Sequence, residues 1–129
     1  MKSKQLALGA VALLITLLAG LNATAHGEDK PGPHGGKIRM PGAFHTEVIA
    51  RPDGFQVYLL DINFQKPTVS NSNIKASLEN DGKVVSLKCE THPDHFFCPV
   101  AGPPQRGRLI IESTRDSAKG NLAQYNLPL

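Results

Sequence analysis

The chain has 129 residues, a formal net charge of +3 and an aromatic content of 5%. With no basic cluster and so few rings, it offers neither an electrostatic footprint nor a stacking surface for nucleic acid. Its length allows one domain with one modest core.

Lys2 and Lys4 give a positive start, Leu6 to Leu21 is an apolar run without charge, and Ala23-Thr24-Ala25 has the small-x-small form of a signal-peptidase site. Residues 1–25 are therefore read as a signal peptide cleaved after Ala25. The run is short for a spanning helix and no basic stop-transfer cluster follows it. An uncleaved N-terminal anchor is the alternative, and the lack of a cysteine near the site argues against a lipid anchor. The expected product is periplasmic or secreted, with no membrane anchor. Lys2 and Lys4 leave with the signal, so the mature chain is close to neutral.

Residues 26–36 read His-Gly-Glu-Asp-Lys-Pro-Gly-Pro-His-Gly-Gly. They are too rich in Gly and Pro for a helix or a central strand and carry no apolar anchor. A flexible His/Gly/Pro arm is expected there. From residue 37 the pattern changes to short β-like runs: Lys37–Met40, Phe44–Ala50, Phe55–Phe64, Asn73–Glu79, Val84–Glu90, Phe96–Val100, Arg108–Ser113 and Leu122–Leu127. Each gap carries turn chemistry, such as Pro52-Asp53-Gly54 and Asn80-Asp81-Gly82. Ile74, Ala76 and Leu78 alternate with polar neighbours, as do Val85 and Leu87. No run has helical periodicity. Residues 37–129 are thus expected to form an all-β domain, a small antiparallel β-sandwich of Ig-like or similar type.

The two cysteines lie in Cys-Glu-Thr-His-Pro-Asp-His-Phe-Phe-Cys, residues 89–98. Written as ligands this is C-x2-H-x2-H-x2-C, which invites a zinc reading. Geometry argues against it. Pro93-Asp94 is a good turn centre, and a hairpin there sets His92 opposite His95 and Cys89 opposite Cys98. The two pairs then face opposite ways. Opposed strand residues lie about 4.5–5.5 Å apart at Cα, within disulfide range, and an oxidising compartment favours the bond. A Cys89–Cys98 disulfide is expected, with a reduced dithiol metal site as the alternative. His92 and His95 can hold a metal at the hairpin tip, but two solvated turn histidines are the favoured reading, because turn residues are usually exposed.

Three of the five histidines fall within residues 26–47. His34 is followed by Gly35-Gly36, which let backbone approach a ligand closely. His45 and Glu47, two apart on an expected strand, share a face. Imidazole and carboxylate suit zinc or copper(II), and the thioether of Met40 would add affinity for copper(I). Cleavage after Ala25 would make His26 the terminal residue, with its α-amine and imidazole able to chelate as a pair. The expected metal ligands are therefore His34, His45, Glu47 and His26, with the 92/95 hairpin on a different part of the surface. The bland alternative is an exposed strand face carrying an ordinary His–Glu pair.

Gly32-Pro33-His34-Gly35-Gly36-Lys37, followed by Phe44-His45-Thr46-Glu47-Val48, resembles a segment of periplasmic adaptor subunits of heavy-metal efflux systems, and of small exported proteins associated with them. Those have a Gly-Pro-x-Gly-Gly-Arg/Lys stretch, then a strand with an acidic residue, then a β domain. The likeness is close over this stretch and elsewhere extends only to strand pattern. It implies a heavy-metal context and an envelope efflux component as partner. No stretch has the periodicity of an adaptor's long helical hairpin, so bridging a pump to an outer channel is not expected.

Catalysis is not expected. The cysteines are not arranged as C-x-x-C, and there is no nucleophile elbow, H-E-x-x-H or phosphate loop. The function expected is binding or buffering of a copper or zinc ion near an efflux system. The alternative is a non-catalytic interaction module of the cell envelope with no metal of its own.

Overall fold

Alternation closed at each end by turn residues produces strand after strand. In a computed structural model, which describes residues 26–28 and 30–129, the strands are β1 (His26–Glu28), β2 (Lys37–Met40), β3 (His45–Arg51), β4 (Gly54–Leu60), β5 (Asn73–Asn80), β6 (Lys83–Leu87), β7 (Glu90–Thr91), β8 (Phe96–Pro99), β9 (Arg108–Arg115), β10 (Ala118–Lys119) and β11 (Ala123–Asn126). No described segment is helical. The signal-peptide reading of residues 1–25 lies outside the described residues.

The strands form two antiparallel sheets. One has the order β1-β2-β3-β4-β8-β7. The other has the order β10-β9-β5-β6, with β11 also paired to β9. Period-two alternation sends Val48, Phe55, Val57, Leu59, Phe96 and Cys98 from the first sheet into one buried cluster. Ala76, Leu109, Ile111, Ala123 and Tyr125 reach it from the second. Tyr125 bridges the layers: its hydroxyl bonds the Thr46 side chain and donates to the Thr46 carbonyl at 3.3 Å. Burial pushes the Tyr125 phenol far above its ordinary pKa.

The opposite, outer face of the six-stranded sheet carries a second, smaller apolar cluster of Ile38, Tyr58 and Leu60, with Ile49 against it. Residues 30–36, part of the 26–36 segment expected to be a flexible arm, lie against this cluster. Local backbone structure is found within that segment. β1 pairs with β2, and a turn joins Gly35 N–H to the Gly32 carbonyl at 2.9 Å and Gly32 N–H to the Gly36 carbonyl at 2.8 Å. Apolar content was a poor guide because this segment docks through its backbone. A β-carbon at Gly32 would come within 2.5 Å of the Glu47 carboxyl carbon and of the Ile38 side chain, and one at Gly36 within 2.6 Å of the Val48 carbonyl oxygen. Only glycine permits so close an approach.

The hairpin has the expected register. Glu90 pairs with Phe97 and Thr91 with Phe96, and His92 N–H donates to the His95 carbonyl at 2.8 Å across the turn. Cys89 and Cys98 are joined, with Cα atoms 4.1 Å apart. Cys98 is buried in the core, so the disulfide faces inward and the histidines outward, as strand parity requires.

Candidate histidine face

The ladder registers bring the histidines together. β2 sets Ile38 opposite Glu47, and β3 sets Glu47 opposite Tyr58. The β4–β8 and β8–β7 registers carry the same row on to His95 and His92. The rings confirm it. Tyr58 and His95 have centroids 5.1 Å apart, and His95 and His92 stack at 4.8 Å. His34 comes from the covering turn and stacks on Tyr58 at 3.8 Å, within 6° of parallel. One file of rings therefore runs His34, Tyr58, His95, His92. In the next row, His26 pairs with Met40 and His45 with Leu60. The hairpin thus shares a surface with His34, which corrects the expectation that it lies elsewhere: the β4–β8 pairing, joining segments some forty positions apart, closes the gap.

Each tethered ring has a defined partner. His34 Nδ1 lies 2.6 Å from Glu47 Oε1, while the backbone N–H groups of His34 and Gly36 donate to Oε2 at 2.8 and 2.9 Å. His95 Nδ1 lies 2.7 Å from Asp94 Oδ1, and His45 Nδ1 lies 3.1 Å from the Asp61 carbonyl oxygen. An oxygen acceptor requires the proton on Nδ1, so in the neutral ring Nε2 keeps the lone pair. This is the arrangement that orients metal-ligating histidines.

Of the expected ligands, His34 and Glu47 are brought together and His45 is not brought to them. Glu47 is 0% exposed and accepts three bonds, so it holds the turn and aims His34. It has no free edge with which to meet an ion. His45 is 3% exposed and lies under Phe64, centroids 4.0 Å apart. Phe64 sits at φ 60°, a left-handed conformation uncommon for a bulky residue. It is held there by Asp61, whose carboxylate accepts the N–H groups of Asn63 and Gln65 at 2.9 and 2.8 Å. The Gln65 bond, followed by that of Asn63 and the charges of Arg115 and Lys66, outweighs desolvation and lowers the Asp61 pKa. Among the described residues, no three His, Cys, Asp or Glu side chains converge closely enough to enclose an ion.

Tyr58 and Asp94 were missed from the sequence. Tyr58 is 8% exposed, and burial, with the negative charges of Asp94 and Glu47 beside it, raises its phenol pKa. The signal for Tyr58 was its register opposite Glu47. The signal for Asp94 was its place beside His95 in the turn.

Comparisons with known protein families, with characterised proteins and with solved structures gave no match for this chain.

Proposed function

We propose that this is an exported protein of the cell envelope that binds and buffers a transition-metal ion, copper(II) or zinc, in a heavy-metal efflux or homeostasis context. One observation carries the reading. All five histidines of the chain belong to, or lie over, the six-stranded sheet, and the four whose side chains are described share its outer face. The second sheet has none. Histidines used merely as polar surface would have no reason to collect on one face of one sheet.

The donor chemistry fits. Imidazole nitrogen suits zinc and copper(II), and three of the rings have Nδ1 tied to oxygen, with Nε2 left as the donor. The disulfide is in keeping with an oxidising compartment. The sandwich, of Ig-like or similar type, serves as a rigid platform with no catalytic role. Partial ligation by protein groups, completed by water, suits an ion that is exchanged.

Copper(II) or zinc chloride titrated into the purified protein and followed by native mass spectrometry tests this. A single ion retained per chain is expected. Failure to retain either ion would contradict metal binding. It would favour the interaction-module reading, for which the exposed Val84 and Val85 on edge strand β6 provide a surface.

A further inference from the structure

We propose that the ion sits at the tip of the 89–98 hairpin, held by His95 and His92, with Asp94 as the residue that positions His95. This rests on the metal-binding reading above and names its ligands, which differ from the His34, His45 and Glu47 set expected from sequence.

Directly opposed residues flanking a two-residue turn put two side chains on one face at short range. Here the ring centroids are 4.8 Å apart and the planes differ by 12°. The pair is held from below by the Cys89–Cys98 bond, three positions down each strand and on the opposite face. The staple therefore fixes the strands without occupying the ligand surface. His95 is the ordered partner. Its side chain is 15% exposed and its Nδ1 is bound to Asp94, so Nε2 faces a fixed direction. His92 is exposed and meets Phe97 edge-on, at 6.3 Å. Near-parallel rings aim their lone pairs side by side, so one must turn for both to meet an ion. The exposed ring, His92, is the one free to do so.

The other histidines are less suited. His34 is separated from His95 by the intervening Tyr58 ring in the file. Its ring is oriented by Glu47 and more exposed than that of His95, but among the described residues no second imidazole stacks on it. His45 is covered by Phe64. Two imidazoles with water completing the shell favour copper(II) over zinc, following the divalent affinity order.

Isothermal titration of copper(II) chloride into the purified protein tests the assignment in three forms, each checked for an intact disulfide and unchanged far-ultraviolet spectrum. His92→Ala/His95→Ala is expected to weaken binding by about a hundredfold or more, and Asp94→Asn by about tenfold, the size usual for a partner that orients a ligand. His34→Gln/His45→Gln is expected to lose less than the hairpin pair. An equal or larger loss in the His34/His45 variant would overturn the assignment while leaving metal binding standing. No binding by the parent protein would instead overturn the metal-binding reading itself.

Discussion

Two places on the same sheet pair a histidine with a carboxylate, and they do different things. Over β3, Glu47 is buried, and its oxygens are taken up by His34 Nδ1 and two backbone N–H groups. At the hairpin, Asp94 is exposed and holds one ring by a single bond. A buried carboxylate with both oxygens engaged is a clasp: it converts a Gly-Pro segment into part of the fold. A carboxylate with one bond on an exposed turn orients its histidine without tying down the backbone around it. Sequence shows a histidine and a carboxylate in both places; burial of the carboxylate separates the roles.

That contrast can be broken from either side. Glu47→Ala removes charge-assisted bonds that neutral neighbours cannot replace and should cost about 3 kcal/mol. Hydrogen exchange should then show the amides of His34 and Gly36 losing protection, while the hairpin amides keep theirs. Loosening the hairpin instead, with Cys89→Ser/Cys98→Ser, should cost about 2–3 kcal/mol, the usual size for a short closed loop. Denaturant melts would show this, and copper affinity should fall with it because the histidine pair loses its register. Gly32→Ala drives a methyl group into Glu47 and Ile38. A loss of about 1–3 kcal/mol is expected from overpacking, with copper affinity retained. Retained stability in Gly32→Ala would mean that the covering turn is not clamped.

Two smaller effects sharpen the comparison. Asp94→Asn should leave stability within about 0.5 kcal/mol, as surface changes do, although it weakens copper binding. The pH dependence of folding should reflect Asp61 and Glu79, whose pKa values are both lowered. For Asp61 the leading cause is the Gln65 N–H, and for Glu79 it is Arg108, bonded at 2.9 Å. A lowered folded-state pKa means the contribution is present above the unfolded value and is lost as pH falls through the folded one. Asp61→Asn and Glu79→Gln should therefore lower stability at neutral pH and converge with the parent in acid, which flattens the acid side of the stability curve. Urea melts across that range would show it.

Much of the fold was legible because its signals are local. Alternation and turn residues located β2 to its ends and β3, β5, β8, β9 and β11 closely, with the runs over β4 and β6 extending too far, and Pro93-Asp94 fixed the hairpin register and with it the Cys89–Cys98 pairing. The short strands β1, β7 and β10 were not separated out, since two or three residues carry no period. The expected run from Phe55 to Phe64 stops at Leu60, where Asp61 begins to bind the backbone ahead of it. The grouping of the candidate site was not legible. It depends on β4 pairing with β8, a choice made by burial of Phe55, Val57, Phe96 and Cys98 in one core. His45 and Glu47 were correctly placed on one face, but whether a side chain there is open or covered was decided by Phe64 and the 30–36 turn, which come from elsewhere in the chain.

Nitrogen-15 spectra of the imidazole rings offer the most direct measurement, taken on metal-free protein and again after addition of equimolar zinc chloride. Before metal, the Nδ1 resonances of His34 and His95 should carry the proton. After metal, the ring nitrogens of His92 and His95 should move by the large shifts of direct ligation, while those of His45 stay in place. Movement confined to His34 and His45, or no movement in any ring, would contradict a metal site on the hairpin.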